Sequence, residues 1–180
     1  MAVRKAKAYS KKQVTPFTRK SQKVKHLNYI RAVPLQKISK FNMGEILAYE
    51  QGKLKNVIYI ISEINCQIRD IALESARQFL NNKITKKLQK NFYISCRKYP
   101  HQVIRNNKIF SGGSKGERVQ SGMSHSWGTA EGRSAAVKHG DVLFVIAYTN
   151  KADTAFIRTL CRNASPKLPC SVKIIYEELK

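Results

Sequence analysis

Apolar and polar positions along this chain change period several times, and each change marks an element. Gln36 to Phe41 alternates apolar with polar and predicts a short half-buried strand. Asn56 to Ile64 carries the run Val57-Ile58-Tyr59-Ile60-Ile61. Its β-branched residues predict a central strand. From Cys66 to Leu88 the apolar positions fall at Ile68, Ile71 and Ala72, Ala76, Phe79 and Leu80, Ile84 and Leu88. Steps of three and four describe one helical face, with Asn65 placed to cap it. Asp70 and Glu74 stand early in this helix and Lys83, Lys86, Lys87 and Lys90 late, as the helix dipole favours. Phe92 to Arg97 reads as a strand that ends before Pro100, and Val103-Ile104 resumes as another. Ser134 to Val137 and Asp141 to Thr149 predict two strands joined near His139-Gly140. Lys151 to Ala164 predicts a second helix with Ala155, Phe156, Leu160 and Ala164 on one face, stopped by Pro166 and Pro169. Cys170 to Tyr176 alternates as a last strand. The expected architecture is α+β: two helices packed on a mixed β-sheet.

Two stretches escape this periodicity. Residues 1–35 are expected to form an extended basic N-terminal arm, and 36–180 a single domain interrupted by a long glycine-rich loop over 106–132. Twelve Lys and Arg precede Glu45, the first acid in the chain. Such a segment lacks the apolar surface to fold alone and is expected to order on an anionic partner. The window Tyr99 to Gly140 holds seven of the nine glycines and the single tryptophan, Trp127. Glycine lets backbone N–H groups approach phosphates closely. Arg97, Lys98, Arg105, Lys108, Lys115, Arg118, Arg133 and Lys138 flank those glycines, and Tyr99, Phe110 and Trp127 supply flat faces for stacking on unpaired bases.

Charge narrows the class. Lys and Arg number 34 against 11 Asp and Glu, a formal net charge of +23 over 180 residues. A small domain usually stays within about 2–8 units, and the excess opposes compaction unless an anion screens it. Nucleic acid fits best, since its phosphates reward cations by releasing counterions. No apolar run approaches the roughly 18 residues of a membrane span. The basic N-terminus lacks a following apolar core, so no signal peptide is expected. Cys66, Cys96, Cys161 and Cys170 show no CxxC spacing, so they are expected to be packing residues rather than zinc ligands.

Enzyme signatures are weak. Asp70, Glu74, Glu117, Glu131 and Asp141 form no close carboxylate pair for a two-metal nuclease. His26, His101, His125 and His139 show no metal-ligand spacing. Gly112 to Gly122 is not a nucleotide loop, because Lys115 precedes Gly116 and Glu117 stands where the lysine should be. No catalysis, metal or cofactor is expected. The alternative kept open is a free-standing RNA- or DNA-binding regulatory protein, with an RNA-processing nuclease behind it.

Several blocks in order carry a family resemblance. They are Tyr29-Ile30-Arg31-Ala32-Val33-Pro34, Phe41-Asn42-Met43-Gly44, Gln67-Ile68-Arg69 with Ala72 to Arg77, Tyr99 to Lys108, Gly122-Met123, Trp127-Gly128 with Gly132, and Pro166 to Pro169. Through them the chain resembles the universal large-subunit ribosomal protein L-sixteen family, in its archaeal and eukaryotic L-ten-e branch, over roughly residues 1 to 178. The resemblance implies a sandwich with a hammerhead-like β motif, packed on large-subunit rRNA in the cytoplasmic ribosome. It also implies help in forming the aminoacyl-tRNA site near the peptidyl-transferase centre. The partners implied are that rRNA, tRNA in the aminoacyl and peptidyl sites, and neighbouring large-subunit proteins, with no membrane and no homo-oligomer. Residues expected to bind rRNA are Arg4, Lys5, Lys7, Arg19, Lys20, Arg31, Arg69, Arg97, Lys98, Arg105, Lys108 and Arg133. Loop residues expected near tRNA are Ser111, Gly112, Gly113, Ser114, Lys115, Gly116, Arg118, Gly122, Met123 and Trp127. Ser124, Thr129 and Ala130 stand where the family usually has an arginine and a Lys-Pro pair, so the loop tip lacks two cations. Glu45 to Lys55 likewise replaces a Gly/Phe/Pro-rich connection.

Overall fold

The computed structural model describes residues 5–11, 30, 33–89, 91–106 and 129–179. The element order is β1 (Asn42–Gly44), α1 (Ile46–Glu50), β2 (Asn56–Ser62), β3 (Cys66–Arg69), α2 (Asp70–Leu88), β4 (Phe92–Cys96), β5 (Gln102–Asn106), β6 (Thr129–Val137), β7 (Val142–Tyr148), α3 (Thr154–Ala164) and β8 (Val172–Glu178). The α+β class holds, but the expected single mixed sheet does not. The described strands form a five-stranded sheet ordered β1-β4-β7-β2-β8 and a three-stranded sheet ordered β3-β6-β5. Every pairing is antiparallel. The reason is where α2 leads: it links β3 in the small sheet to β4 in the large one, so it makes no parallel crossover within one sheet.

The large sheet is built from the apolar runs. In β2 the side chains of Ile58 and Ile60 join the main core, whereas Val57 faces a second, smaller cluster. Its neighbours alternate likewise: Ile94, Phe144 and Ile146 lie on the first side and Tyr93, Val145 and Ala147 on the second. Helix α2 covers the first side with Ala72, Leu73, Ala76, Leu80 and Ile84, and α3 with Ile157, Leu160, Cys161 and Ala164. The four cysteines are reduced and buried.

Five features differ from the periodicity. Gln36 to Phe41 buries Ile38 but is not a strand. Its amides go to side chains instead of a ladder: Lys37 N to Asp70 Oδ2 at 3.2 Å, Ile38 N to Gln36 Oε1 at 2.8 Å and Ser39 N to Glu74 Oε2 at 3.4 Å. Pairing starts only at Asn42, opposite Ser95. The expected helix start at Cys66 is strand β3, whose four residues are all buried against β6. Asn65 therefore does not cap the helix; its Oδ1 accepts from the His139 N–H at 3.0 Å. Glu45 to Lys55 contains the short helix α1, a third α-helix that the apolar period did not mark. Strand β6 begins at Thr129 rather than Ser134, and the last helix opens with a 3-10 turn over Lys151–Asp153.

Candidate nucleic-acid interface

The small sheet holds the residues on either side of the stretch 107–128. Strands β5 and β6 form a ladder whose last pair is Asn106 and Thr129. Residues 106 and 129, which flank the stretch 107–128, are thus adjacent positions on one sheet. Lys108 and the loop residues Ser111, Gly112, Gly113, Ser114, Lys115, Gly116, Arg118, Gly122, Met123 and Trp127 lie outside the described residues, as do Arg4, Arg19, Lys20 and Arg31 of the arm.

The N-terminal segment docks on the same sheet. Gln67 on β3 donates its N–H to Ser10 O at 3.0 Å and its side-chain amide to Tyr9 O at 3.1 Å. Arg69 donates from Nη2 to Lys5 O at 2.8 Å, and the Tyr9 hydroxyl donates to Glu131 Oε2 at 3.3 Å. The first of these bonds satisfies one outward amide of the β3 edge. They also point the exposed side chains of Lys5 and Lys7 to solvent. A narrow cleft lined by Tyr9, Lys37, Arg69, Asp70, Ile104 and Glu131 remains between segment and sheet.

Two arginines on this sheet bond to the protein's own backbone. Arg69 is 8% exposed and holds the arm. Arg133 donates from Nε to Pro34 O at 2.6 Å and from Nη1 to the Tyr99 hydroxyl at 3.1 Å. It thereby ties the end of the arm to the turn before β5. Tyr99 in turn lies against Phe41, ring centroids 5.6 Å apart. Arg105 is 7% exposed, and burial lowers its guanidinium pKa from the usual value. Arg69 and Arg133 thus hold the N-terminal segment and Pro34, while Arg105 is buried on β5.

Arg97 and Lys98 differ. Arg97 is exposed beyond the end of β4. Lys98 is half-buried, with Nζ 2.7 Å from Asp141 Oδ2. Burial pushes the Asp141 carboxyl up, but the Lys138 N–H at 2.8 Å and the Lys98 ammonium outweigh it and hold the carboxyl below its ordinary value. Two other candidate nuclease acids are similarly engaged, while Glu117 lies outside the described residues. Asp70 is 2% exposed and accepts from the Lys37 and Ile71 amides. Glu74 pairs with Arg77 at 2.6 Å. Among the described residues, no group of three or more His, Cys, Asp or Glu could hold a metal ion.

Two features escaped the reading of the sequence. Arg77 is buried on α2 and reaches Glu74, Ser39 Oγ at 2.9 Å and Met43 Sδ at 2.8 Å. It clasps 37–43 to the helix, and its signal was the placement of Glu74 one helical turn earlier. Lys173 on β8 is exposed beside the open side of the large sheet. Nothing but its alternation with Val172 and Ile174 could have marked it.

The described residues form a basic α+β scaffold of two antiparallel sheets, with the N-terminal segment bonded to the smaller one. The profile of the ribosomal protein L16p/L10e family matches residues 14–175, and the chain belongs to that family. It is similar to the large ribosomal subunit protein uL16 of Pyrobaculum calidifontis, 32% identical over 98% of this chain and 95% of that one. The protein of the same name from Pyrobaculum arsenaticum is 33% identical over 98% of this chain and 93% of its own. That from Halobacterium salinarum is 30% identical over 97% and 95%.

Proposed function

We propose that this chain is a structural constituent of the large ribosomal subunit, in an archaeal-type cytoplasmic ribosome. It binds large-subunit rRNA and helps form the aminoacyl-tRNA site near the peptidyl-transferase centre, performing no catalysis itself. The observation that carries this reading is the near-complete coverage of this chain by relatives named as large-subunit proteins. Charge supports it: +23 suits a polyanion.

On this reading the arm 1–35 and loop 106–132 are the two extensions that enter RNA from the 36–180 domain. Lys5, Lys7, Arg97 and Lys98 neutralise phosphates directly. Arg4, Arg19, Lys20, Arg31 and Lys108 do so along the extensions. Arg69, Arg105 and Arg133 act by holding those extensions in register. The loop residues Ser111 to Gly116, Arg118, Gly122, Met123 and Trp127 approach tRNA. With cations missing at Ser124, Thr129 and Ala130, that approach relies on backbone N–H groups and the Trp127 ring.

Sucrose-gradient sedimentation of tagged protein in high salt tests the placement. Co-migration with large subunits is expected. Sedimentation as free monomer at every salt concentration would overturn it.

A further inference from the structure

The side of the large sheet turned away from α2 and α3 is half covered. Strand register arranges its side chains in rows. One row runs Glu177, Val57, Ala147, Tyr93. Helix α1 and the turn after it lay Ala48, Tyr49 and Leu54 on that row. There the Tyr49 and Tyr93 rings stack, centroids 4.4 Å apart and planes 19° apart. The next row runs Ile175, Tyr59, Val145, Ser95, and the third Lys173, Ile61, Val142. Val145 and Ser95 are buried, and the β8, β2 and Val142 positions of these rows stay partly open. Ile175 is 37% exposed, and Tyr59, Ile61 and Val142 are half-buried. Tyr49, Tyr59, Arg97, Lys98, Val142 and Val145 line a shallow depression here.

Cations stand on both rims. Arg97, whose N–H donates to Leu143 O at 2.9 Å, extends past β4, and Lys173 rises from β8. Those strands are three spacings apart, about 14 Å, a gap that a base and its flanking phosphates can fill. The two nearby acids are engaged. Asp141 is held by Lys98 and the Lys138 N–H. Glu177 lies beside Tyr59; burial first, and then this carboxylate, raises the pKa of the Tyr59 hydroxyl.

We infer that the open half of this sheet face seats an unpaired nucleotide of RNA, its base on the Tyr59 ring and Val142 and its phosphates on Arg97 and Lys173. The inference rests on the RNA-binding role proposed above and adds a second RNA surface, on a different sheet from the β5–β6 hairpin. The flat ring between cations decides the class of partner. Duplex RNA hides its base faces and would use the cations alone. An acidic peptide would use the cations but has no flat face to offer the tyrosine. A single-stranded nucleotide uses both.

The test is a local cross-link in the purified full chain. A benzophenone amino acid replaces Ile175, and the protein is titrated with single-stranded hexa-adenylate under ultraviolet light. The expected result is a saturable protein–RNA cross-link that a hairpin duplex and poly-glutamate compete poorly. Tyr59→Leu, which keeps the apolar floor, should raise the half-saturating RNA concentration about fivefold or more while leaving the circular dichroism unchanged. Absence of the cross-link, equal competition by duplex or polypeptide, or no effect of Tyr59→Leu would overturn the seat. A chain that fails to sediment with large subunits but keeps the Tyr59-dependent cross-link would remove the ribosomal placement and leave the seat standing.

Discussion

The two sheets of this protein use their side chains in opposite ways. The large sheet is apolar on its helix side, where Ile58, Ile94, Phe144 and Ile146 are each 0% exposed and carry no polar group. The small sheet is fixed at its margins by polar side chains that reach backbone: Gln67 to Tyr9 O, Arg69 to Lys5 O, Arg133 to Pro34 O. Packing makes a rigid body, whereas charge-assisted bonds to carbonyls hold segments that lack apolar content of their own. Arginine therefore means different things on the two sheets. At the margin of the small one it holds backbone carbonyls, and at the rim of the large one Arg97 is exposed.

The sharpest way to break the large sheet is at its β1 edge. Gly44 has φ +88, and a Cβ there would sit 2.1 Å from Phe92 O. That oxygen already accepts the Glu45 N–H at 2.9 Å. Gly44→Ala must strain the backbone and push β1 off β4, with a cost of about 3 kcal/mol. Thermal unfolding should show the midpoint fall by roughly 6–12 °C; an unchanged midpoint would show that β1 contributes nothing to the sheet.

The small sheet should lose its segment rather than its fold. Arg133→Met keeps the stem but removes the bonds to Pro34 O and the Tyr99 hydroxyl, at about 2 kcal/mol. Limited proteolysis is expected to cut before residue 36 several times faster, while the remainder resists. Equal cleavage rates would mean that the arm is held from elsewhere.

Such differences explain what could be read from the sequence. Long apolar runs were legible, because β2, β4, β7 and α3 are each dictated by a local period and lie within a few residues of their expected bounds. Failures came where a tertiary partner overrode that period. Ile68 fits a helical face, yet Cys66 to Arg69 is pulled into a ladder by Ser134 to Val137. Ile38 fits a strand, yet the carboxylates of Asp70 and Glu74 take its neighbours' amides. For the candidate site, charge supported an anionic partner, in keeping with the family. Which arginines are buried was not legible, because the burial of Arg69 and Arg105 depends on where residues distant in sequence arrive.

A smaller effect tests the polar clasp on α2. Hydrogen bonds from Arg77 first, against the opposing effect of burial, bring the Glu74 carboxyl to about 2, well below its ordinary 4.5. A depressed folded-state pKa gives stability that is full above the unfolded value and lost as pH falls through the folded one. The clasp should therefore weaken between about pH 4.5 and pH 2, by roughly 1–2 kcal/mol after allowing for its partial solvent access. Glu74→Gln should flatten the acid limb of a denaturation series by that amount. A variant that keeps the wild-type acid limb would assign the loss to another carboxylate.

The smallest stability effect belongs to the large-sheet rim, and there it is the informative result. Arg97 is exposed and has no described ion pair, so Arg97→Gln should leave the unfolding free energy within about 0.5 kcal/mol. Its consequence should appear against salt instead. Each phosphate neutralised on a single strand adds about −0.7 to the slope of log affinity against log salt. Single-stranded RNA binding by Arg97→Gln should thus lose about 0.7 of slope, and Arg97→Gln with Lys173→Gln about 1.4. Arg69→Gln on the small sheet should show the reverse pattern, with stability reduced and the rim's contribution to the slope retained. If instead Arg97→Gln unfolds the protein while Arg69→Gln alters only the salt slope, the assignment of structural and anion-facing arginines to the two sheets is inverted.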